Sequence, residues 1–218
     1  MRPLLEIIVF ASVVFVESVW QKPAFCGQYE CPEYKVVQHG NGFEKRNYAA
    51  ATWVYTSAAG KHSDASAATY FKLKQYLNRN NEAEKEISMA TPVVTMMFPT
   101  TGLDVLKNFS QFFFIPSSAG PAPQPIDKSI RIEEVPRKDM YIREIKGQVS
   151  TVADWVKQAN ELAKAINDTS MYYPSFFFTA AYSPPFATGQ KHNEVWFYAI
   201  RGHNAPLDIG LPHKLIKS

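Results

Sequence analysis

The chain has 218 residues, of which 46% are hydrophobic and 14% aromatic, a composition that can bury the core of one α+β domain. Charged residues make up 20% of the chain, the formal net charge is +3, and lysine and arginine form no block. Because nucleic-acid-binding domains concentrate positive charge on one face, this mild balance argues against a nucleic-acid partner.

Residues 1–18 differ in composition from the rest of the chain. Arg2 precedes an apolar run that ends at Val16 and contains one acidic residue, Glu6. A membrane anchor is the alternative, but the run is well short of the roughly 20 apolar residues that a spanning helix needs. Val16 and Ser18 are small enough to precede a signal-peptide cleavage site. We therefore interpret residues 1–18 as a signal peptide and expect a secreted, extracellular protein without a transmembrane anchor.

The leader that follows, residues 19–32, carries the only two cysteines of the chain. In the oxidising compartment that a signal peptide implies, Cys26 and Cys31 can form a disulfide bond worth roughly 2 kcal/mol by the chain-entropy relation. We expect no metal site here, because two thiols alone lack partners and the nearest histidine is His39. Two N-glycosylation acceptors also favour secretion: Asn108 and Asn167.

The remaining sequence repeats one pattern on either side of about Gln124: strand, strand, helix, strand, strand. A glycine precedes each predicted helix, at Gly60 and Gly147, and a serine stands at the start of each, at Ser63 and Ser150. Two copies are too few for a stacked solenoid. The duplicated ββαββ unit therefore predicts one pseudo-symmetric sheet with two helices on its outside.

In the first half, hydrophobic alternation and turn residues predict five strands and one helix. Ser63 or Asp64 is expected to cap the helix, and Pro92 to interrupt the strand that contains it. The predicted strands cover residues 34–38, 43–48, 52–56, 87–98 and 108–116, and the helix covers residues 63–78. One face of this helix has an apolar stripe: Ala67, Tyr70, Leu73 and Leu77.

In the second half, the strands over residues 130–135 and 140–145 are predicted to pair across a turn. A second helix begins near Ser150, where Thr151 and Asp154 have the spacing of a capping box. The last two predicted strands cover residues 173–182 and 194–200.

Catalytic motifs are absent from the sequence: it contains no Gly-x-Ser-x-Gly, Walker A, HExxH or paired Cys-x-x-Cys segment. The five histidines have no metal-ligand spacing, and a lone histidine in a loop is most often a solvated turn residue. We therefore expect a binding protein that is not an enzyme and has no metal site. The aromatic residues exceed what a plain core requires, and they suit a flat apolar ligand.

Four segments of the chain closely resemble the SOUL haem-binding protein family: FEKR at 43–46, ISMATPV at 87–93, TAAYSPP at 179–185 and NEVW at 193–196. The resemblance covers about residues 34–200. It implies an α+β fold, a distorted antiparallel β-barrel with two flanking helices, which agrees with the duplicated pattern. On this basis residues 33–201 form the domain, and residues 202–218 form a flexible tail.

The resemblance also implies a function, reversible binding of haem or protoporphyrin in an apolar groove beside the first helix and the loop before the last strand. His192 is the candidate axial ligand of the iron. The chain departs from the family at Asn47, where one branch has a histidine, and at Ala67 and Gln75, where another has basic residues. The implied ligand-binding residues are Tyr70, Leu73, Lys74, Tyr182, Pro184, Phe186 and Lys191.

Two further functions remain open. The same barrel can serve as a protein-interaction module without a tetrapyrrole. A hydrolase is the third alternative, with Glu194 as general acid or base. We favour the interpretation of Glu194 as a surface glutamate on a strand.

Overall fold

The computed structural model describes residues 20–145, 149–183 and 191–200. The predicted signal peptide over residues 1–18 and the predicted tail over residues 202–218 lie outside these ranges, as do Pro184 and Phe186. No helix in the described part of the chain combines the length and apolarity needed to cross a membrane.

Nine strands and two α-helices, together with two short 3-10 helices at Ala24–Cys26 and Ser117–Ala119, make up the described residues. The first half contains β1 (Tyr34–Gly40), β2 (Phe43–Tyr48), β3 (Ala51–Ala59), α1 (His62–Leu77), β4 (Val93–Met97) and β5 (Asn108–Phe114). The second half contains β6 (Arg131–Val135), β7 (Lys138–Ile145), α2 (Val152–Ile166), β8 (Phe177–Ala181) and β9 (Asn193–Tyr198).

All nine strands belong to one antiparallel sheet with the order β1-β2-β7-β9-β8-β4-β5-β3-β6, curled into a distorted half-barrel. If β1 is left out, strands β2–β5 of the first half correspond in order to strands β6–β9 of the second half. Replacing every strand by its counterpart and reversing the strand order gives the same sheet. The axis of this pseudo-symmetry lies between β4 and β8, where Thr95 pairs with Thr179. The sheet order thus agrees with the predicted duplication.

The predicted hairpin in the second half is wrong. β6 pairs with β3, whereas β7 pairs with β2 and β9. The equivalent strands β2 and β6 therefore each pair with a strand of the other half. This exchange lets the two halves bury their apolar faces in one continuous sheet. It leaves β1 and β6 as the two edges.

The helix starts follow the sequence in one case and depart from it in the other. Thr151 and Asp154 form the predicted capping box of α2, with the Asp154 N–H donating to the Thr151 hydroxyl at 3.1 Å. The predicted cap of α1 is wrong: Lys61 precedes the helix without a side-chain cap, and the Ser63 hydroxyl donates instead to the Asp64 carboxylate. The predicted strand over residues 87–98 is shortened to β4, which begins only after Pro92 because proline has no N–H for the ladder.

The helices cover the outer face of the sheet, α1 on β3 and β5 and α2 on β7, β9 and β2. Side chains of each strand alternate between this outer face and the inner face, which neither α1 nor α2 covers. In β5, for example, Phe113 packs under α1, whereas Phe112 and Phe114 belong to an aromatic cluster on the inner face. The predicted apolar stripe of α1 is shifted, because Ala67 is exposed and the buried residues are Ala65, Thr69, Leu73, Tyr76 and Leu77.

Candidate ligand-binding site

The outer surface of α1 presents two aromatic rings beside a lysine. Phe71 is 67% exposed, and its ring meets the half-buried ring of Tyr70 edge to face at 6.4 Å. Tyr70 is held in turn by Phe113 of the sheet, with ring centroids 5.4 Å apart. Lys74 lies one helical turn further on, on the same side of α1. We call Tyr70, Phe71 and Lys74 the α1 surface.

Leu73, which the resemblance places in the groove, is fully buried between α1 and the sheet. It packs in the cluster that supports Tyr70 and does not face solvent. The ammonium of Lys74 forms no hydrogen bond or ion pair with any described residue, whereas that of Lys72 donates to the Ser129 hydroxyl at 3.0 Å. Of the two lysines, Lys74 is the one that can meet a ligand carboxylate without losing a partner.

The end of β8 is separated by β4 from β5, one of the two strands on which α1 packs. Its last residue, Ala181, pairs with Val93 of β4, and Val93 packs in the cluster beneath α1. Pro184 and Phe186 follow Ser183 and lie outside the described residues. Lys191, where the described chain resumes, is half-buried.

The structure does not bring Tyr182 and His192 to the α1 surface. Tyr182 is buried on the inner face, where its hydroxyl donates to Glu194 at 3.0 Å. The ring of His192 stacks on Phe25 of the leader, 3.8 Å between centroids. Its Nε2 lies 2.9 Å from Glu194, and its Nδ1 lies 3.7 Å from Glu144. Both ring nitrogens of His192 thus face carboxylates.

Glu194 is the centre of a buried polar network at one end of the inner face. Its carboxylate accepts hydrogen bonds from the Arg46 guanidinium at 2.9 Å and from the Trp196 indole N–H at 2.7 Å, in addition to those from Tyr182 and His192. Burial opposes its ionisation, but hydrogen bonding from His192 and the charge of Arg46 outweigh that effect and hold the pKa of Glu194 below its usual value. Burial, followed by the charge of Glu194, raises the pKa of Tyr182 well above its usual range.

The interpretation of Glu194 as a surface glutamate is wrong, since the side chain is fully buried. Its strand, β9, is flanked on both sides by β7 and β8 and not at a sheet edge. A general acid or base must come within hydrogen-bond reach of its substrate. The carboxylate of Glu194 already has four donors, so the geometry describes a structural ion pair with Arg46.

The leader is part of the core. Cys26 and Cys31 form the predicted disulfide bond and pack in the inner-face cluster. Phe25 meets Tyr182 edge to face at 4.8 Å, and the Glu30 carbonyl accepts the N–H of Thr91 at 2.9 Å. The leader therefore covers the end of the inner face that holds Glu194. The sequence predicted the leader as a separate segment and did not indicate this packing.

A partly open cavity of about 70 Å³ lies on the inner face. Sequence reasoning missed it, because its walls come from strands far apart in the chain. Apart from Lys138, its lining is almost wholly apolar, and six aromatic side chains dominate it: Tyr48, Trp53, Phe112, Phe178, Trp196 and Tyr198.

The three positions at which the chain departs from the family pattern, Asn47, Ala67 and Gln75, supply neither an imidazole nor a positive charge. Asn47 holds Asp139 with its amide N–H and accepts a hydrogen bond from Arg137 at 3.0 Å, so its side chain is engaged within the protein. Ala67 and Gln75 are both exposed, and neither supplies a charge. Within the described residues no group of histidine, cysteine, aspartate and glutamate side chains is arranged to hold a metal ion.

The two sequons differ in their surroundings. Asn108 begins β5, pairs with Ala59 and is half-buried. Asn167 is exposed and ends α2 in the left-handed conformation, with φ at 55°.

Residues 29–198 match the sequence model of a family described as SOUL heme-binding protein. "Heme-binding protein 1" of Xenopus tropicalis is 30% identical over 183 residues, which cover 81% of this chain and 95% of that protein. "Heme-binding protein 2" of Homo sapiens is 29% identical over 171 residues, which cover 77% and 82%. Among solved structures, the EcmrR C-terminal domain has a TM-score of 0.52 at 8% identity, covering 78% of this chain and 99% of that one, a likeness of fold alone.

Proposed function

Since the chain belongs to the SOUL haem-binding protein family, we propose that it binds haem or a related tetrapyrrole reversibly. The observation that carries the proposal is the α1 surface, where Phe71 and Tyr70 present apolar rings to solvent beside Lys74. Large exposed aromatic side chains next to a cation suit a flat apolar ring with carboxylates at its edge. The names of the relatives support the same class of ligand.

The size of the inner-face cavity favours the α1 surface as the site. The cavity holds about 70 Å³. Sites for drug-sized ligands hold about 300–1,000 Å³. A tetrapyrrole would have to displace the aromatic walls to enter, whereas the α1 surface is already open. Pro184 and Phe186, in the segment after β8, would add further apolar contact to the ring.

Most of the affinity would come from apolar contact. Burying apolar surface is worth roughly 25 cal/mol per Å², whereas an exposed lysine–carboxylate contact contributes about 0–1 kcal/mol. Phe71 and Tyr70 would therefore carry the binding, and Lys74 would orient the carboxylate edge. Leu73 would act from below, by holding Tyr70 in place.

A titration with haemin, followed at the Soret band, tests the proposal. Phe71→Ala should weaken binding about tenfold, and Lys74→Ala by less than about threefold. Leu103→Ala is the matched control, because Leu103 is an exposed apolar residue, 51% accessible, in the loop between β4 and β5 and not one of the three residues of the α1 surface. Equal losses in Phe71→Ala and Leu103→Ala would show that the α1 surface is not the site.

We also propose that the protein is secreted. The disulfide between Cys26 and Cys31 supports this proposal, because such bonds persist in oxidising compartments and are rare in the cytosol.

A protein-interaction module is the second candidate function. Edge strand β1 supports it, because no described strand pairs with its outer side and Val36 and Val37 are 38% and 54% exposed. A partner could add a strand there. A haemin titration without any Soret change would favour this function over tetrapyrrole binding.

A further inference from the structure

Six aromatic side chains line the inner-face cavity. Tyr48 and Trp196 lie 5.4 Å apart at an angle of 35°, and Phe178 meets Tyr198 edge to face at 5.2 Å. Phe178 meets Phe112 in the same way at 6.2 Å. The face of an aromatic ring carries a negative electrostatic potential. Several rings around a small space therefore attract a weakly hydrated cation.

A carboxylate stands beside these rings without a cationic partner. Glu133 of β6 lies directly opposite Trp53 of β3, so the two side chains share the inner face about 4.5–5.5 Å apart at Cβ. No described residue forms a hydrogen bond or ion pair with the Glu133 side chain. Burial, and then repulsion from Glu134, raise the pKa of Glu133. A positive charge placed among the rings would relieve this carboxylate.

The volume limits the size of that positive group. About 70 Å³ exceeds the roughly 10–15 Å³ that one water needs and falls far short of the space for a drug-sized ligand. A compact cationic head group fits, and the open mouth leaves room for the rest of its molecule outside. Quaternary ammonium groups are the cations that aromatic cages in proteins recognise.

We propose that the inner-face cavity binds a quaternary ammonium head group, held by the aromatic cage and attracted by the charge of Glu133, which lies beside the wall residue Trp53 and does not itself line the cavity. This site is separate from the α1 surface, which lies on the opposite face of the sheet. Lys138 also lines the cavity, and its ammonium opposes a second cation there. We therefore expect the head group to bind more weakly than it would in an aromatic cage without a lysine.

Choline and its uncharged carbon isostere, dimethylbutanol, are the matched probes, titrated by calorimetry and by tryptophan fluorescence, to which Trp53 and Trp196 of the cavity wall contribute. Choline should bind saturably in the millimolar range and at least about tenfold more tightly than dimethylbutanol. Equal affinities of the two probes, or no saturation by choline at about 50 mM, would overturn the proposal.

Two neighbouring glutamates make the sharpest pair of variants. Glu133→Gln should weaken choline binding about fivefold. Glu134→Gln should change it less than twofold, because Glu134 points to the other face of β6 and accepts hydrogen bonds from Thr52 at 2.8 and 2.9 Å. Lys138→Gln should strengthen binding about twofold to threefold. Equal losses in Glu133→Gln and Glu134→Gln, or weaker binding in Lys138→Gln, would contradict the site.

Haemin separates this inference from the proposed function. Saturating haemin should leave choline affinity within about twofold, since the two sites lie on opposite faces. Loss of haemin binding in Phe71→Ala with choline binding intact supports both sites. Displacement of choline by haemin would overturn their separation.

Discussion

Nη1 of Arg46 and the carboxylate of Glu194 lie 2.9 Å apart in a place where Arg46 is 5% exposed and Glu194 is not exposed at all. The two residues come from opposite halves of the chain and meet because β2 and β9 both flank β7. Arg46 also donates to Glu44 at 2.8 Å and to the hydroxyl of Tyr48 at 3.3 Å, and Tyr48 continues the network towards the aromatic cavity. The pair thus ties the exchanged strand β2 to the inner face of the other half.

Removing Arg46 alone should be strongly destabilising, because it leaves the Glu194 carboxylate buried without its cation. Arg46→Met is expected to lower the free energy of unfolding by about 3–5 kcal/mol, measured by urea denaturation. Adding Glu194→Gln should restore part of this loss, since the uncompensated charge is removed.

An exposed ion pair at the same distance is the control. Lys164 and Glu161 of α2 also lie 2.9 Å apart, but the lysine is 74% exposed. Lys164→Met should cost less than about 0.5 kcal/mol. A double variant of Arg46 and Glu194 that is no more stable than Arg46→Met would contradict a charge-based explanation.

Acid should destabilise the protein partly through Glu194. Its pKa is lower in the folded chain than the ordinary value of 4.5, so its contribution to stability is fully present above that value and is lost as the pH falls through the folded-state pKa. The free energy of unfolding should therefore decrease as the pH is lowered below about 4.5. In Glu194→Gln this decrease should be shallower.

Some dependence on pH should persist in Glu194→Gln, because four other carboxyl groups also have lowered pKa values: Glu30, Asp127, Asp154 and Glu161. Urea titrations of both proteins at a series of pH values measure the two slopes. If stability depends on pH equally steeply in the variant, then Arg46 and His192 do not lower the pKa of Glu194 in the folded protein.

The disulfide in the leader should contribute directly to stability. Cys26→Ser with Cys31→Ser is expected to lower the free energy of unfolding by about 2 kcal/mol, by releasing the unfolded chain and placing hydroxyls in the apolar inner-face cluster. Dithiothreitol should destabilise the unchanged protein by a similar amount and have no effect on the double variant. A reductant effect that persists without the cysteines would point to another cause.

Much of the fold can be predicted from local sequence signals, but the pairing of strands between the two halves cannot. The capping box of Thr151 and Asp154 and the position of α1 are readable because they depend on residues a few positions apart. The exchange of β2 and β6 is not, since alternation predicts a strand without its partner. Glu194 looks like an ordinary strand residue until Arg46, 148 positions away, is placed beside it.

The candidate sites divide in the same way. The resemblance pointed to α1, and helical spacing alone puts Tyr70 and Lys74 on one side of it. It could not show that Leu73 is fully buried or that His192 stacks on Phe25, because both facts depend on packing. The inner-face cavity was beyond sequence reasoning, since its aromatic residues look the same as core residues.

Expression in a secretory cell tests the proposed localisation. The protein should appear in the medium with its N-terminus near Val19, read by N-terminal sequencing. Asn167 should be glycosylated more completely than Asn108, because it is exposed at the end of α2, whereas Asn108 is half-buried and paired in the sheet. Peptide mapping after glycosidase treatment reads each site separately. An uncleaved Met1 in the cytosolic fraction would contradict secretion.

Tetrapyrrole binding should depend on the ring more than on the metal. Asn47 stands where one branch of the family has a histidine, and its amide is already held by Asp139 and Arg137. A neutral amide is also a poor axial ligand compared with imidazole. Metal-free protoporphyrin should therefore bind within about tenfold of haemin, a difference of roughly 1.4 kcal/mol.

His192 is the residue that would contradict this expectation. Its ring lies on the inner face, stacked on Phe25, with Nε2 2.9 Å from Glu194, so coordination at the α1 surface would require both contacts to break. His192→Ala should accordingly leave the haemin spectrum and affinity unchanged, apart from a loss of folding stability. A low-spin spectrum with nitrogen ligation that disappears in His192→Ala would show that the iron, and not the ring alone, is recognised.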